Sequence, residues 1–159
     1  VSAGCEVTFD VFGDPQPQGS KKAFVVNGKA RMVEDAGKAG ANWRDAVAQA
    51  ALVERGRIGR PLDGALYLDV IFRFRMPRSR TKAIRLAGIV AKTTTPDLSK
   101  LVRSLEDGLQ AVRLIADDAR IHDLRARKLE VLDEWTGAHV RVGESAAATV
   151  PRPSQAALL

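Results

Sequence analysis

Residues 65–75 read ALYLDVIFRFR. Leu66, Leu68, Val70, Phe72 and Phe74 fall on one side of an extended chain, and Asp69, Arg73 and Arg75 fall on the other. So strict an alternation predicts a strand with one face in a core. Upstream, Trp43, Val47, Ala50 and Ala51 recur at helical spacing, with Arg44, Asp45, Gln49 and Glu54 opposite. They predict an amphipathic helix over about 42–55 that ends near Gly56. Downstream, Leu98, Leu101, Val102, Leu105 and Leu109 stand at i, i+3, i+4, i+7 and i+11, a second amphipathic helix. Further out, residues 5–12 alternate with Cys5, Val7, Phe9 and Val11 on one face, and strands are expected over 121–131 and 139–142. Asn27-Gly28 between 23–26 and 29–33 is a hairpin signal, and a short helix fits around 81–87. Strands and helices interleave, so the expected fold is one α/β (α+β) domain over 1–143, a small mixed sheet packed against two main helices. Residues 144–159 are rich in Ala, Pro and Ser without a period and read as a loose tail.

The chain has 159 residues, 45% of them apolar and only 5% aromatic, so its core rests on Leu, Val, Ile and Ala. That length suits a single domain. Lys and Arg outnumber Asp and Glu 25 to 19, and the pI near 9.9 favours a polyanionic partner. Cys5 is the sole cysteine, which excludes a disulfide framework and a thiolate metal cluster. With only His122 and His139, the sequence does not point to a histidine-rich zinc site. No apolar run approaches the roughly 20 residues needed to cross a bilayer. The first residues lack the order of a signal peptide, so a cytoplasmic setting is expected.

The charge is concentrated. From Arg73 to Lys128 there are 14 basic and 6 acidic residues, and the rest of the chain is slightly acidic. The acids within this basic stretch are Asp97, Glu106, Asp107, Asp117, Asp118 and Asp123. Each has an ordinary duty open to it: Asp97, after Pro96 and before the apolar helix, suits an N-cap, and Asp117-Asp118 suits a polar turn. The functional reading is that several converge on a hard divalent cation, which activates water and neutralises charge on phosphate.

The stretch TPDLSKLVRSLEDGLQAVRLIADDARI, residues 95–121, resembles the signature of the RusA family of Holliday junction resolvases. That signature runs approximately P-D-x-D-[NK]-L-x-[KR]-x-x-x-D-x-L, then after a gap D-D-x-x-[IV]. Pro96, Asp97, Leu101, Arg103, Asp107 and Leu109 match its first part; Asp117, Asp118 and Ile121 match its second. Gly13, Pro15 and Pro17 match the family's opening, and the likeness extends over about residues 7–132. It implies a small homodimeric endonuclease, often carried by phages, that uses Mg²⁺ (or Mn²⁺) to nick four-way DNA junctions symmetrically in recombination and repair. Position by position it implies Asp97 and Asp118 as metal-site carboxylates with Asp117 in support, and Arg103 where the family carries a functional Lys. Lys100 and Arg103 would then stabilise charge on the phosphate. Lys21, Lys22, Arg73, Arg75, Arg78, Arg80 and Lys82 are candidates for contacts to the DNA backbone.

One position departs from the pattern: Ser99 stands where the family has a second Asp. A serine offers a neutral oxygen and no charge. Three readings follow: Asp97, Asp117 and Asp118 hold the metal with extra water; Asp107 takes the missing role; or the protein is a junction-binding, architectural module with a weakened metal site. A helix over 98–112 would run about 21 Å, a long way for Asp118 to return toward Asp97 unless the helix stops near Gly108 or a second subunit supplies a carboxylate. Asp107, about 280° round the helix from Asp97, reads as a partner for Arg103. His122 is a weaker proton-transfer candidate beside the Asp pair. Trp43, Cys5 and His139 read as structural, and Trp135 as core or partly exposed near Gly137.

Overall fold

A computed structural model describes residues 4–19, 21–34, 37–132 and 134–146. Strands β1 (Glu6–Phe12), β2 (Lys21–Val26) and β3 (Lys29–Glu34) lead to helix α1 (Gly37–Ile58) and strand β4 (Leu66–Arg75). Helix α2 (Lys82–Ala87), strand β5 (Ile89–Ala91), helix α3 (Leu98–Ala111), a 3₁₀ turn (Asp118–Arg120) and strands β6 (Ile121–Val131) and β7 (Gly137–Glu144) complete the chain. Five strands form one mixed sheet in the order β1-β7-β4-β6-β5, in which β4 and β6 are parallel and the other pairs antiparallel. A parallel pair needs a long crossover, and α2, β5 and α3 supply it.

β4 behaves as its alternation predicts: Leu66, Leu68, Val70 and Phe72 are at most 1% exposed. They meet Val7, Phe9 and Val11 of β1, Ala138, Val140 and Val142 of β7, Trp43, Val47 and Ala51 of α1, and Leu101, Leu105 and Leu109 of α3. Each such aliphatic side chain contributes roughly 1.5–3 kcal/mol of hydrophobic stabilisation. The two main helices therefore cover one sheet face. The other face carries Asp69, Arg73, Arg125, Arg127 and Arg141 by strand register.

The hairpin forms as expected. Asn27 (φ 51°) and Gly28 (φ 75°) both take the left-handed conformation that a two-residue turn of this kind requires, and β2 and β3 make a sheet of their own. Three boundaries differ. α1 starts at Gly37 because its first turns are built from Gly and Ala, which show no apolar stripe but let Gly40 bury itself. Gly59 rather than Gly56 stops the helix, taking φ 74° and returning its N–H to the Arg55 carbonyl. β5, three residues long, escapes any periodicity. Glu144, expected to open the tail, closes β7; residues 147–159 lie outside the described part.

Candidate active site

Helix α3 is the spine of the site. Its apolar stripe points into the core, while Ser99, Arg103 and Glu106 form an adjacent row. With Leu98 and Val102, and facing Leu124 and Ala126 of β6, they line a groove of about 610 Å³.

Asp97 occupies the N-cap position of α3 but makes no side-chain cap hydrogen bond. Its backbone makes only the first intrahelical bond, the Asp97 carbonyl accepting from the Leu101 amide at 3.1 Å. The carboxylate, 64% exposed, lies 4.0 Å from the Lys100 ammonium. The ordinary explanation for an Asp here, a side-chain cap, is therefore removed.

Asp117 has the opposite fate. Its Oδ1 accepts from the Ala119 amide at 2.8 Å and so caps the 3₁₀ turn that Asp118 begins. Asp118 is brought back beside α3, where its charge reaches Glu106. Burial first, and Asp118 second, push the Glu106 carboxyl above the usual carboxylate range. Glu106 lies about 13 Å along the helix axis from Asp97, so Asp118 has covered only part of the return. α3 does not stop at Gly108 but continues to Ala111.

Among the described residues no three His, Cys, Asp or Glu side chains gather closely enough to hold a metal ion. Asp97, Asp117 and Asp118 are thus not assembled as an all-protein cage. The donors along the groove are nonetheless hard oxygens, and Mg²⁺ is commonly held by one or two carboxylates, with water and substrate phosphate completing its shell. The repulsion between Glu106 and Asp118, only partly offset by Arg103, is of the kind a cation would relieve, so these two carboxylates fit an open Mg²⁺ site.

The other nominated residues separate clearly. Asp107 accepts from the Gln18 side-chain amide at 3.0 Å, and the Gln18 backbone N–H donates to the Lys100 carbonyl at 2.9 Å. Asp107 thereby docks the loop before the hairpin onto α3. Arg80 donates through Nε and Nη2 to both oxygens of Glu130, at 2.6 and 2.7 Å. That carboxylate is fully buried and is held below its usual range, first by the Arg80 hydrogen bonds. Arg80 therefore has a structural duty. Arg73 pairs with Glu134 and lies 4.7 Å from the centre of the Trp135 ring, which also meets Phe12 edge-on. Arg75, Arg78 and Lys82 are exposed, as are Lys100 and Arg103; the side chains of Lys21 and Lys22 lie outside the described part.

His122 meets Ser145 Oγ at 2.7 Å, and His139 meets Asp10 at 2.6 Å on the exposed sheet face. Trp43 is core and Cys5 packs against it, as expected. Lys128 was passed over by sequence reasoning, and Glu106, named there among the acids of the basic stretch, was given no role of its own. Glu106 had a signal, since it shares the i, i+4, i+7 row with Ser99 and Arg103. Lys128, whose ammonium donates to the carbonyls of Thr94 and Pro96, had none nearby, because its partners are more than 30 residues away.

Comparison with known proteins gives two findings. The sequence pattern of the family described as Endodeoxyribonuclease RusA matches residues 13–143. The "Uncharacterized protein YqaN" of Bacillus subtilis (strain 168) is 28% identical over 127 residues, covering 77% of this chain and 86% of that protein.

Proposed function

The chain belongs to the RusA family of endodeoxyribonucleases, and on that premise we propose that it resolves four-way (Holliday) DNA junctions by hydrolytic nicking of two strands. The observation that carries this reading is Asp97, a carboxylate at a helix N-terminus that the helix does not use. We assign Asp97 and Asp118 to a Mg²⁺ site that a second protomer completes, because within one chain Asp118 stops beside Glu106, short of Asp97; Asp117 keeps a supporting, capping role. When bound, Mg²⁺ supplies a water of lowered pKa and neutralises charge on the scissile phosphate.

The chain's own residues do the rest. Lys100 and Arg103, on exposed turns of α3, face the strand being cut and stabilise its phosphate charge. Arg103 does so as a planar fork rather than a point charge. The hairpin arm, rooted on α3 through Gln18, carries exposed Lys29 and Arg31 toward the DNA backbone, and Lys21 and Lys22 are further candidates on the same arm. Arg75, Arg78 and Lys82 add contacts of the same sequence-independent kind. A two-fold homodimer, acting in the cytoplasm, presents two such sites to a two-fold junction.

The test is cleavage of a labelled, immobile four-way junction with Mg²⁺, beside Asp97→Asn and Asp118→Asn. Paired symmetric nicks lost in both variants are expected. Tight junction binding without nicks, with Mn²⁺ as well as Mg²⁺, would instead make the protein a junction-binding module in which Ser99 has disabled the metal site.

A further inference from the structure

We propose that Lys128 is a positioning residue that pins the segment before α3, so that Asp97 is presented at the helix entrance without having to cap it. The proposal rests on the reading of Asp97 as a metal-site carboxylate and adds the device that holds it there.

The geometry is a two-sided grip. Lys128 sits on β6 in register with Phe72 of β4, on the sheet face that the helices cover. Its Nζ donates to the Thr94 carbonyl at 2.5 Å and to the Pro96 carbonyl at 2.7 Å. Its own carbonyl accepts the Lys92 amide at 3.0 Å. One strand residue therefore fastens both ends of the 92–96 strap. A half-buried ammonium needs acceptors for its hydrogens, and the carbonyls of Thr94 and Pro96 supply two of them.

A second staple holds the middle. Lys92 Nζ donates to Thr94 Oγ1 at 2.9 Å and lies 3.8 Å from Glu130 Oε1, the buried carboxylate that Arg80 grips. Lys128 and Glu130, two positions apart on β6, thus tie the strap to the sheet. On its other side Asp97 is fixed through its carbonyl to Leu101. The backbone at Asp97 is held from both directions, and its carboxylate makes no cap bond. A lysine serving chiefly as a phosphate contact would point its ammonium at solvent; this one spends two of its three donors on the chain's own carbonyls.

The experiment uses the full chain, Lys128→Met and Lys128→Arg, with three readouts: hydrogen exchange across residues 92–99, Mn²⁺ affinity of the protein alone, and four-way junction affinity in EDTA. For Lys128→Met, exchange in 92–99 at least tenfold faster, Mn²⁺ binding at least tenfold weaker and junction affinity within twofold of wild type are expected. Lys128→Arg should recover part of the first two. Unchanged exchange and Mn²⁺ affinity would overturn the proposal, and so would loss of junction binding in EDTA with both intact, which would make Lys128 a DNA contact. If Lys128→Met does not fold, Lys92→Met loosens the same strap; it should speed exchange in 92–99, and no change there would overturn the proposal. A wild-type protein that leaves junctions uncut defeats the resolvase reading separately, since exchange is read without DNA.

Discussion

Asp118 stands close enough to Glu106 for its negative charge to oppose ionisation there, on top of the larger penalty from the burial of Glu106. The folded-state pKa of Glu106 is therefore raised, so the folded chain holds that proton more tightly than the unfolded one. Stability falls as pH rises from the ordinary carboxylate range through the raised value, and the cost is complete above it. Glu106→Gln is expected to raise Tm at pH 7–8, with the gain vanishing below about pH 4, where the wild-type carboxyl is also protonated. The same change should weaken Mg²⁺-dependent junction cleavage by roughly tenfold or more. Melting curves across pH beside Mg²⁺ titrations of cleavage check both halves. A lower Tm at neutral pH would show that Glu106 is a structural acid.

Ser99 lies two residues past Asp97 and lines the groove with Arg103 and Glu106. Ser99→Asp would place a charged oxygen donor there, in the first turn of α3, where the helix dipole favours a negative charge by about 0.3–1 kcal/mol. The expected result is unchanged or slightly higher Tm, with the Mg²⁺ concentration for half-maximal cleavage about tenfold lower as a further carboxylate joins the site. A Mg²⁺ dependence identical to wild type would place residue 99 outside the metal site.

The regular elements were legible because their signals are local. β4 announces itself by alternation, α3 by its leucine stripe and the hairpin by Asn27-Gly28, and each forms as read. The inward charges were not legible. Glu130 follows the alternation that buries its face of β6, but its compensating Arg80 lies 50 residues earlier in the chain. Nothing near Lys128 indicates that its acceptors are carbonyls at 94 and 96. Asp97 and Asp117 look alike in sequence, each an Asp before a helical turn, and they part only because Asp117 caps through its side chain and Asp97 does not.

Gly108 marks a close approach of the two main helices. A Cβ there would lie 2.5 Å from Val47 Cγ1, and Val47 is itself fully buried. Gly108→Ala gains helix propensity of up to about 1 kcal/mol but must push α1 and α3 apart, an overpacking cost of typically 1–3 kcal/mol. A net loss of stability is expected in urea unfolding, restored in part by Val47→Ala in the same chain. A Gly108→Ala protein more stable than wild type would mean that the helices separate at no cost.

Glu144 closes β7 and binds three partners: Arg60 in bidentate fashion at 2.6 and 2.9 Å, the Asp63 amide at 3.0 Å and the Cys5 amide at 3.2 Å. These lower its pKa from 4.5 to about 2, the Arg60 hydrogen bonds contributing most. A depressed carboxylate pKa means that the unfolded chain binds the proton first as pH falls. The stabilisation is fully present above the ordinary value of 4.5 and is lost progressively down to about pH 2. Glu144→Gln should therefore be less stable at pH 7 and show a flatter decline of urea midpoint between pH 4.5 and 2. Arg60 is half-exposed, so its share is screened by salt, whereas the backbone amides are not. In 1 M NaCl the gap between wild type and Glu144→Gln is expected to narrow without closing. Midpoints that fall in parallel from pH 4.5 to 2 would show that Glu144 does not hold β7 to the start of β1.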